Sequence, residues 1–220
     1  MMSGACFELD GLNVISGSVK TVTDLNLRIP HGHLFNLQCK SAFVLESLAL
    51  ALTNHPGHKI AGGKIIVDGN NISAGHCNCA VSNELFLIFN RPKIPACLRL
   101  REYLKQLFFR YSREDKGIND FNAFLLQMGK DLSFDLKHAG SLCSGELNDE
   151  CLRKIQYIEV AVMNPKIVIM QGLGEWEFST VETLKSEKKT ILLLTDIMPE
   201  NFQRRLKADH LQILRETQSK

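Results

Sequence analysis

Residues 34–53 read LFNLQCKSAFVLESLALALT. Residues 34–38 are mostly apolar, which is typical of a short buried strand. Residues 42–53 are rich in Ala and Leu, which favour helix, and the sequence His55-Pro56-Gly57 behind them ends a helix. The stretch therefore predicts a strand that is followed by a helix.

Further strands and helices alternate on both sides of this stretch. Strands are predicted at residues 6–29 (two or three short ones, with turns at Asp10-Gly11 and Ser16-Gly17), 64–68, 85–89, 166–170, 190–195 and 210–214. Helices are predicted at residues 98–111, 120–128, 149–163 and 180–186. This alternation favours an α/β fold with a mostly parallel core sheet. We expect one domain over residues 1–220, with a core from residues 1–95 and 150–215 and a helical insert at about residues 96–148.

The composition excludes several classes of protein. The 220 residues are 45% hydrophobic and carry a net charge of +2, so no basic field favours nucleic acid or an anionic membrane. No apolar run reaches the roughly 18 residues of a membrane-spanning helix, and residues 1–10 do not resemble a secretion signal. The 7 cysteines are odd in number and scattered, which favours a reducing compartment. We therefore expect a cytoplasmic protein without membrane insertion.

Three stretches carry a family resemblance. The first is HPGH at residues 55–58 with GGKIIVDGNNI at residues 62–72; the second is LFLIFNRP at residues 85–92; the third is CSGE at residues 143–146 with NPKIVIM at residues 164–170. In this order they resemble SufC proteins, the ABC-type ATPase subunits of the SUF iron–sulfur assembly system. The resemblance covers about residues 6–215 and implies an ABC-type P-loop ATPase fold with N-terminal antiparallel strands.

The phosphate loop of this family, aligned without a gap, falls on residues 39–47. A working loop needs glycines, a lysine for the phosphates and a hydroxyl for Mg²⁺. In this alignment Leu45 replaces the lysine and Glu46 replaces the metal-binding hydroxyl, so the cation is lost and an anion is added. The degenerate nucleotide-binding positions of this segment are Cys39, Ala42, Val44, Leu45, Glu46 and Ser47.

An alternative alignment keeps Cys39-Lys40-Ser41 as a surviving Gly-Lys-Ser after a five-residue deletion. This alignment lengthens the following helix by the same five residues. The sequence leaves both alignments open.

The other family positions are also altered. The Q-loop glutamine becomes Asn90, the Walker B aspartate becomes Gln171, the catalytic glutamate becomes Gly172 and the switch histidine becomes Asp196. Gln171 lacks the anionic oxygen that Mg²⁺ prefers. The resemblance therefore implies a pseudo-ATPase without an expected cofactor, and ATP with Mg²⁺ would be used only if the family activity is retained. The signature motif lies either at Ser144-Gly145 or, displaced, at Asn148-Asp149.

The resemblance also implies protein partners. In SufC proteins, scaffold subunits of the SufB/SufD type bind the helical region after the Q-loop, and an active SufC-type paralogue is a possible further partner. The apolar candidates for this contact are Leu98, Leu100, Tyr103, Leu104, Leu107 and Phe108.

Two other functions compete with this interpretation. An ABC transporter-type nucleotide-binding subunit would share the fold. A thiol or metal-binding protein on the same fold would use the weak ligand candidates His76, Cys77 and Cys79, although their spacing lacks the Cys-x₂-Cys pairs of zinc sites.

Overall fold

The computed structural model describes residues 5–73, 85–89, 98–111, 116–197 and 200–214. The strands are β1 (Ala5–Ser16), β2 (Val19–Pro30), β3 (Leu34–Gln38), β4 (His58–Val67), β5 (Asn70–Asn71), β6 (Leu85–Ile88), β7 (Ile167–Gln171), β8 (Thr190–Thr195) and β9 (His210–Ile213). The helices are α1 (Ala42–Leu52), α2 (Leu100–Tyr111), α3 (Ile118–Asp131), α4 (Leu136–Ala139), α5 (Asp149–Met163), α6 (Phe178–Ser186) and α7 (Glu200–Leu206). The chain forms two compact units, one from residues 1–87 and 165–220 and the other from residues 88–164.

The first unit contains an antiparallel sheet of four strands in the order β2-β1-β4-β5. Strands β1 and β2 have 12 residues each, so the two or three short strands expected over residues 6–29 are two long ones. Gly11 does not form a turn. It lies at a register shift within β1 and has a φ of +61°, and a Cβ on the facing Gly63 would lie 2.4 Å from the Gly11 carbonyl oxygen. Glycine is required at such a close approach because any side chain would clash.

The same unit contains a five-stranded sheet in the order β6-β7-β8-β3-β9. The pairs β3–β8, β3–β9 and β7–β8 are parallel. All five residues of β3 and all six of β8 are buried, as expected for a parallel sheet covered on both faces. The expected α/β fold with a mostly parallel core sheet and N-terminal antiparallel strands is therefore confirmed.

The second unit is helical and contains α2 to α5. Its aromatic core includes Phe108 and Phe121, whose ring centroids lie 5.5 Å apart, and α2 packs on α5. The unit runs from residue 88 to residue 164, so it is longer than the insert expected at about residues 96–148, because α5 packs with it. In the part of the chain that the structure describes, no helix is long and apolar enough to cross a membrane.

Candidate functional site at the carboxyl edge of the parallel sheet

Three parallel strands end together at one edge of the five-stranded sheet. Gln38 pairs with Thr195, and Gln171 pairs with Leu194. Beyond the strands, the Cys39 amide donates to the Thr195 carbonyl at 3.1 Å. The Gly172 amide likewise donates to the Leu194 carbonyl at 2.8 Å. The carboxyl edge of an open α/β sheet is where ligands usually bind, and it brings together the sequence-predicted positions Cys39, Gln171, Gly172 and Asp196.

Only Cys39, Lys40 and Ser41 separate β3 from α1. Ser41 caps the helix, because its Oγ accepts a hydrogen bond from the Val44 amide at 3.4 Å and its carbonyl accepts one from the Leu45 amide at 3.3 Å. Residues 42–47 are therefore helical and do not form an open loop over residues 39–47. Strong helix formers after a serine cap explain the difference. Lys40-Ser41 directly precede the helix, and the choice between the two alignments stays a prediction.

The positions assigned to the loop are consequently spread around a helix. Val44, Leu45 and Ser47 are buried, whereas Ala42 and Glu46 are exposed. Leu45, at the position that the ungapped alignment gives to the phosphate-binding lysine, packs in the core. Lys40 is exposed immediately before α1 and is the cation nearest to this helix start in sequence.

Two polar side chains near this edge have no partner among the described residues. Gln38 is fully buried, and neither its Nε2 nor its Oε1 makes a hydrogen bond there. The Oγ of Ser47, which is also fully buried, is similarly unsatisfied. By contrast, the Thr195 hydroxyl donates to Asn36 Oδ1 at 3.0 Å. A buried polar group without a partner costs about 1–3 kcal/mol, so this part of the fold is locally destabilised.

The ends of β7 and β8 complete the edge. Gln171 is half-buried and Asp196 is exposed. Gly172 has a φ of +73°, a left-handed conformation in which a glutamate would be strained. The backbone at the family's catalytic glutamate position thus suits the glycine that is present.

The signature candidates lie in the second unit. Ser144 and Gly145 belong to a short 3₁₀ turn, Ser144–Glu146, in which the Glu146 carboxylate accepts from the Cys143 amide at 2.7 Å. Helix α5 starts after Asn148, whose Oδ1 accepts from the Cys151 amide at 2.8 Å. Asn148 therefore occupies the helix start, and Ser144-Gly145 form a separate turn.

The side chains expected to bind a scaffold are largely internal to the second unit. Leu100 and Leu104 are each 1% exposed and Phe108 is 5% exposed, because they form the apolar face of α2 that packs within this unit. Leu98 and Leu107 are half-buried. As a docking surface this set needs correction, since a partner cannot reach its three most buried members.

Tyr103 is half-buried and has a different role. Its hydroxyl donates to Glu159 Oε1 at 2.5 Å. Burial raises the pKa of Glu159 to about 7, although the Tyr103 hydrogen bond acts in the opposite direction. Burial, and then the Glu159 carboxylate, raise the pKa of Tyr103. The pair forms a partly buried polar contact between α2 and α5.

Several sequence candidates lie outside the described residues, namely Asn90, His76, Cys77 and Cys79. The structure instead brings together Cys6, His31 and Asp68, whose ligand atoms lie within 4.8 Å of one another. Sequence reasoning missed this cluster. Its members come from three distant segments, and no local spacing signals it.

Comparisons with known proteins agree with the architecture. No protein-family model matches the chain. The chain is 21% identical over 223 residues to the probable ATP-dependent transporter ycf16 of Antithamnion sp., covering 94% of this chain and 86% of that protein. It is 26% identical over 117 residues to the probable ATP-dependent transporter slr0075 of Synechocystis sp.. This match covers 53% of this chain and 42% of slr0075.

Solved structures give the same result for the fold. The dimeric structure of MJ0796, a bacterial ABC transporter cassette, matches with a TM-score of 0.77 at 13% identity and covers 94% of each chain. The chain therefore has the fold of an ATP-binding cassette domain.

Proposed function

We propose that the chain is a SufC-like subunit of iron–sulfur cluster assembly that does not hydrolyse ATP and acts by binding a SufB/SufD-type scaffold in the cytoplasm. The three-residue connection between β3 and α1 is the observation that carries the loss of hydrolysis. A P-loop of about eight positions wraps phosphate with successive backbone amides. Three residues, one of them the helix cap, offer too few amides for such a wrap.

The other chemistry needed for hydrolysis is missing at the same edge. Gln171 offers a neutral amide where Mg²⁺ prefers a carboxylate oxygen. Gly172 offers no group that could orient a water molecule. Hydrolysis in the assembly would then belong to a separate, active SufC-type paralogue.

The assignment to iron–sulfur assembly rests on the sequence resemblance. The His55-Pro56-Gly57 turn and the Gly62-Gly63 strand are the features that resemble SufC proteins most specifically. In the structure they lie at the end of α1 and within β4, on an intact framework. The fold is thus retained around an altered edge, which supports a role in binding.

The docking surface that we propose uses exposed apolar side chains of the second unit. Phe109 on α2 is 41% exposed, and Ile118 and Leu126 on α3 are 48% and 64% exposed. Aromatic and apolar side chains in the centre of an interface usually supply most of its binding energy. These residues replace the buried side chains that the sequence had suggested.

Binding to a purified SufB/SufD-type scaffold, measured by calorimetry without nucleotide, tests the proposal. We expect Leu126→Asp and Phe109→Asp each to weaken binding at least tenfold, because a charge would be buried against an apolar partner. Leu211→Asp is the matched control, since Leu211 is 49% exposed but lies in the first unit. If the wild-type chain does not bind the scaffold, the proposed function is wrong. If Leu211→Asp alone weakens binding, only the surface is wrong.

A transporter-type nucleotide-binding subunit is the second candidate. Its similarity to two proteins that are named as probable ATP-dependent transporters, ycf16 and slr0075, favours it. In that case the chain would co-purify with a membrane protein from detergent extracts and not with a scaffold. Affinity purification from the native source, with both fractions analysed by mass spectrometry, distinguishes the two.

A further inference from the structure

Three side chains that commonly bind metals meet at the amino end of the parallel strands. Cys6 lies in β1, His31 follows β2 and Asp68 follows β4. The Cys6 sulfur, a ring nitrogen of His31 and a carboxylate oxygen of Asp68 all lie within 4.8 Å of one another. His31 Nε2 and Asp68 Oδ1 are 3.2 Å apart.

The backbone fixes two of these residues side by side. The Asp68 amide donates to the Cys6 carbonyl at 3.0 Å. Asp68 and Gly69 form the two-residue turn between β4 and β5, and both have positive φ values, 49° and 80°. Asp-Gly is well suited to such a turn. The carboxylate is therefore carried by a stiff hairpin end and not by a long loop.

Neighbouring groups orient the cluster. Lys166 Nζ binds Asp68 Oδ2 at 2.7 Å, so the carboxylate uses one oxygen for the lysine while Oδ1 faces His31. The Thr190 side chain hydrogen-bonds the Cys6 thiol, and Thr190 Oγ1 accepts from the Gly32 amide at 3.1 Å. Outer hydrogen bonds of this kind hold metal ligands in place.

We propose that Cys6, His31 and Asp68 form a binding site for a borderline divalent cation of the Zn²⁺ class, with a fourth position open to water or another ligand. Thiolate, imidazole and carboxylate are the protein ligands of Zn²⁺, with bonds of about 2.0–2.3 Å. Tetrahedral bonds of that length separate two ligand atoms by roughly 3.4 Å, close to the observed 3.2 Å between His31 and Asp68.

The charges also fit a divalent ion. A Cys6 thiolate and the Asp68 carboxylate together offset two positive charges, and a neutral imidazole adds a third ligand atom. The incoming metal displaces the proton of the Cys6 thiol to solvent, as is usual for thiolate ligands. His31, with a side chain that is 59% exposed, offers an entry path from solvent.

Titration of metal-free protein with Co²⁺ and Zn²⁺ tests the site. The background is the Cys77→Ser, Cys79→Ser double variant, which removes the cysteines suggested by sequence. We expect one equivalent of Co²⁺ with thiolate-to-cobalt charge-transfer absorption, displaced by Zn²⁺. His31→Ala and Asp68→Asn should each weaken binding at least tenfold, and Cys6→Ser should abolish the charge-transfer band.

Matched controls test whether the loss of any histidine or cysteine weakens metal binding. His33→Ala and Cys151→Ser remove a histidine and a cysteine outside the cluster, and binding should not change. Because Cys6 is fully buried and its replacement can impair folding, the exposed His31 carries the decisive result. The proposal is overturned if the protein does not bind one equivalent of metal. It is also overturned if His31→Ala and Asp68→Asn fold normally and leave metal binding unchanged.

Discussion

At the carboxyl end of the five-stranded sheet, the side chain of Gln38 is fully buried and makes no hydrogen bond to the described residues. At the amino end, Asp68 binds His31 through one oxygen and Lys166 through the other, and Thr190 connects Gly32 with Cys6. The same apolar strands thus join an end with unsatisfied polar groups to an end with a connected polar network.

This contrast shows that the fold is present although the end of the sheet that usually binds ligands is poor in satisfied polar groups. In α/β sheets the carboxyl end is the one that usually binds ligands, yet here it has a short connection and the unsatisfied side-chain amide of Gln38. Between the two ends the sheet is apolar, and β8 is buried throughout. The two ends therefore differ in their polar groups although the same buried strands connect them.

The largest expected effect concerns Glu159, a buried acidic residue of the second unit that belongs to neither end of the sheet. Burial raises the pKa of Glu159 from 4.5, the ordinary value that we assign to the unfolded chain, to about 7 in the folded chain. The folded state therefore holds this proton more tightly, so the contribution of Glu159 to stability is fully present below pH 4.5 and is lost as the pH rises through 7. We expect a loss of about 3 kcal/mol over this range in urea unfolding.

Glu159→Gln is the test of this assignment. The amide oxygen can still accept from Tyr103 but does not ionise, so the pH dependence over this range should largely disappear. Equal pH dependence in the variant would place the titrating group elsewhere. Tyr111→Phe, which leaves the Glu159 contact intact, is the control.

The next effect concerns the carboxyl end directly. Gln38→Leu removes two buried polar atoms that lack partners, and we expect stabilisation of about 1 kcal/mol. Asn36→Leu, in the same strand, should destabilise by about 1–3 kcal/mol because it leaves the Thr195 hydroxyl without its acceptor. Urea unfolding measures both effects. If the two variants changed the free energy of unfolding with the same sign, Gln38 and Asn36 would not differ in hydrogen bonding as described.

A smaller effect concerns the amino end. Hydrogen bonding to Lys166 is the largest cause that lowers the pKa of Asp68. This pair therefore stabilises the fold above the unfolded pKa, and its contribution is lost as the pH falls through the lowered value. Lys166→Met should cost about 0.5 kcal/mol at pH 7, because the pair is partly exposed. The deficit should shrink below about pH 4, whereas Lys40→Met should show no such dependence.

The smallest expected effect is that of ATP. Millimolar Mg-ATP should raise the melting temperature by less than about one degree, since a Kd above millimolar adds only a few tenths of a kcal/mol. A larger shift that Lys40→Ala removes would show that the short connection binds nucleotide after all. Purified protein should also show no Mg-ATPase activity above background.

Much of the framework could be predicted from the sequence. The bounds expected for α5 and β8 agree with those observed, because both have clear ends. Helix α5 has a capping Asn148 at its start and a left-handed Asn164 at its end, and β8 is a continuous apolar run. Helix α7 was missed because Glu200–Leu206 is short and mostly polar.

The candidate sites were harder to predict for physical reasons. The length of the connection after β3 depends on where α1 begins, and the serine cap at Ser41 sets that start. The sequence leaves two alignments open at this point. Periodicity identified the apolar face of α2 but not whether that face is internal, so Leu104 and Phe108 were misassigned to a docking surface. The Cys6 cluster depends on strand pairing over long distances.

The short turn at Ser41 also bears on the ancestry of the chain. Single substitutions can exchange Gln171 or Gly172 for acids, but no substitution adds residues between β3 and α1. Recovery of a phosphate-wrapping loop would need an insertion of several residues next to the Cys39–Thr195 hydrogen bond, and a partial insertion would disturb the helix start without creating a ligand cradle. If the chain descends from an ATP-hydrolysing cassette, as we propose, substitutions alone do not restore the loop, and selection then acts on other surfaces of the molecule.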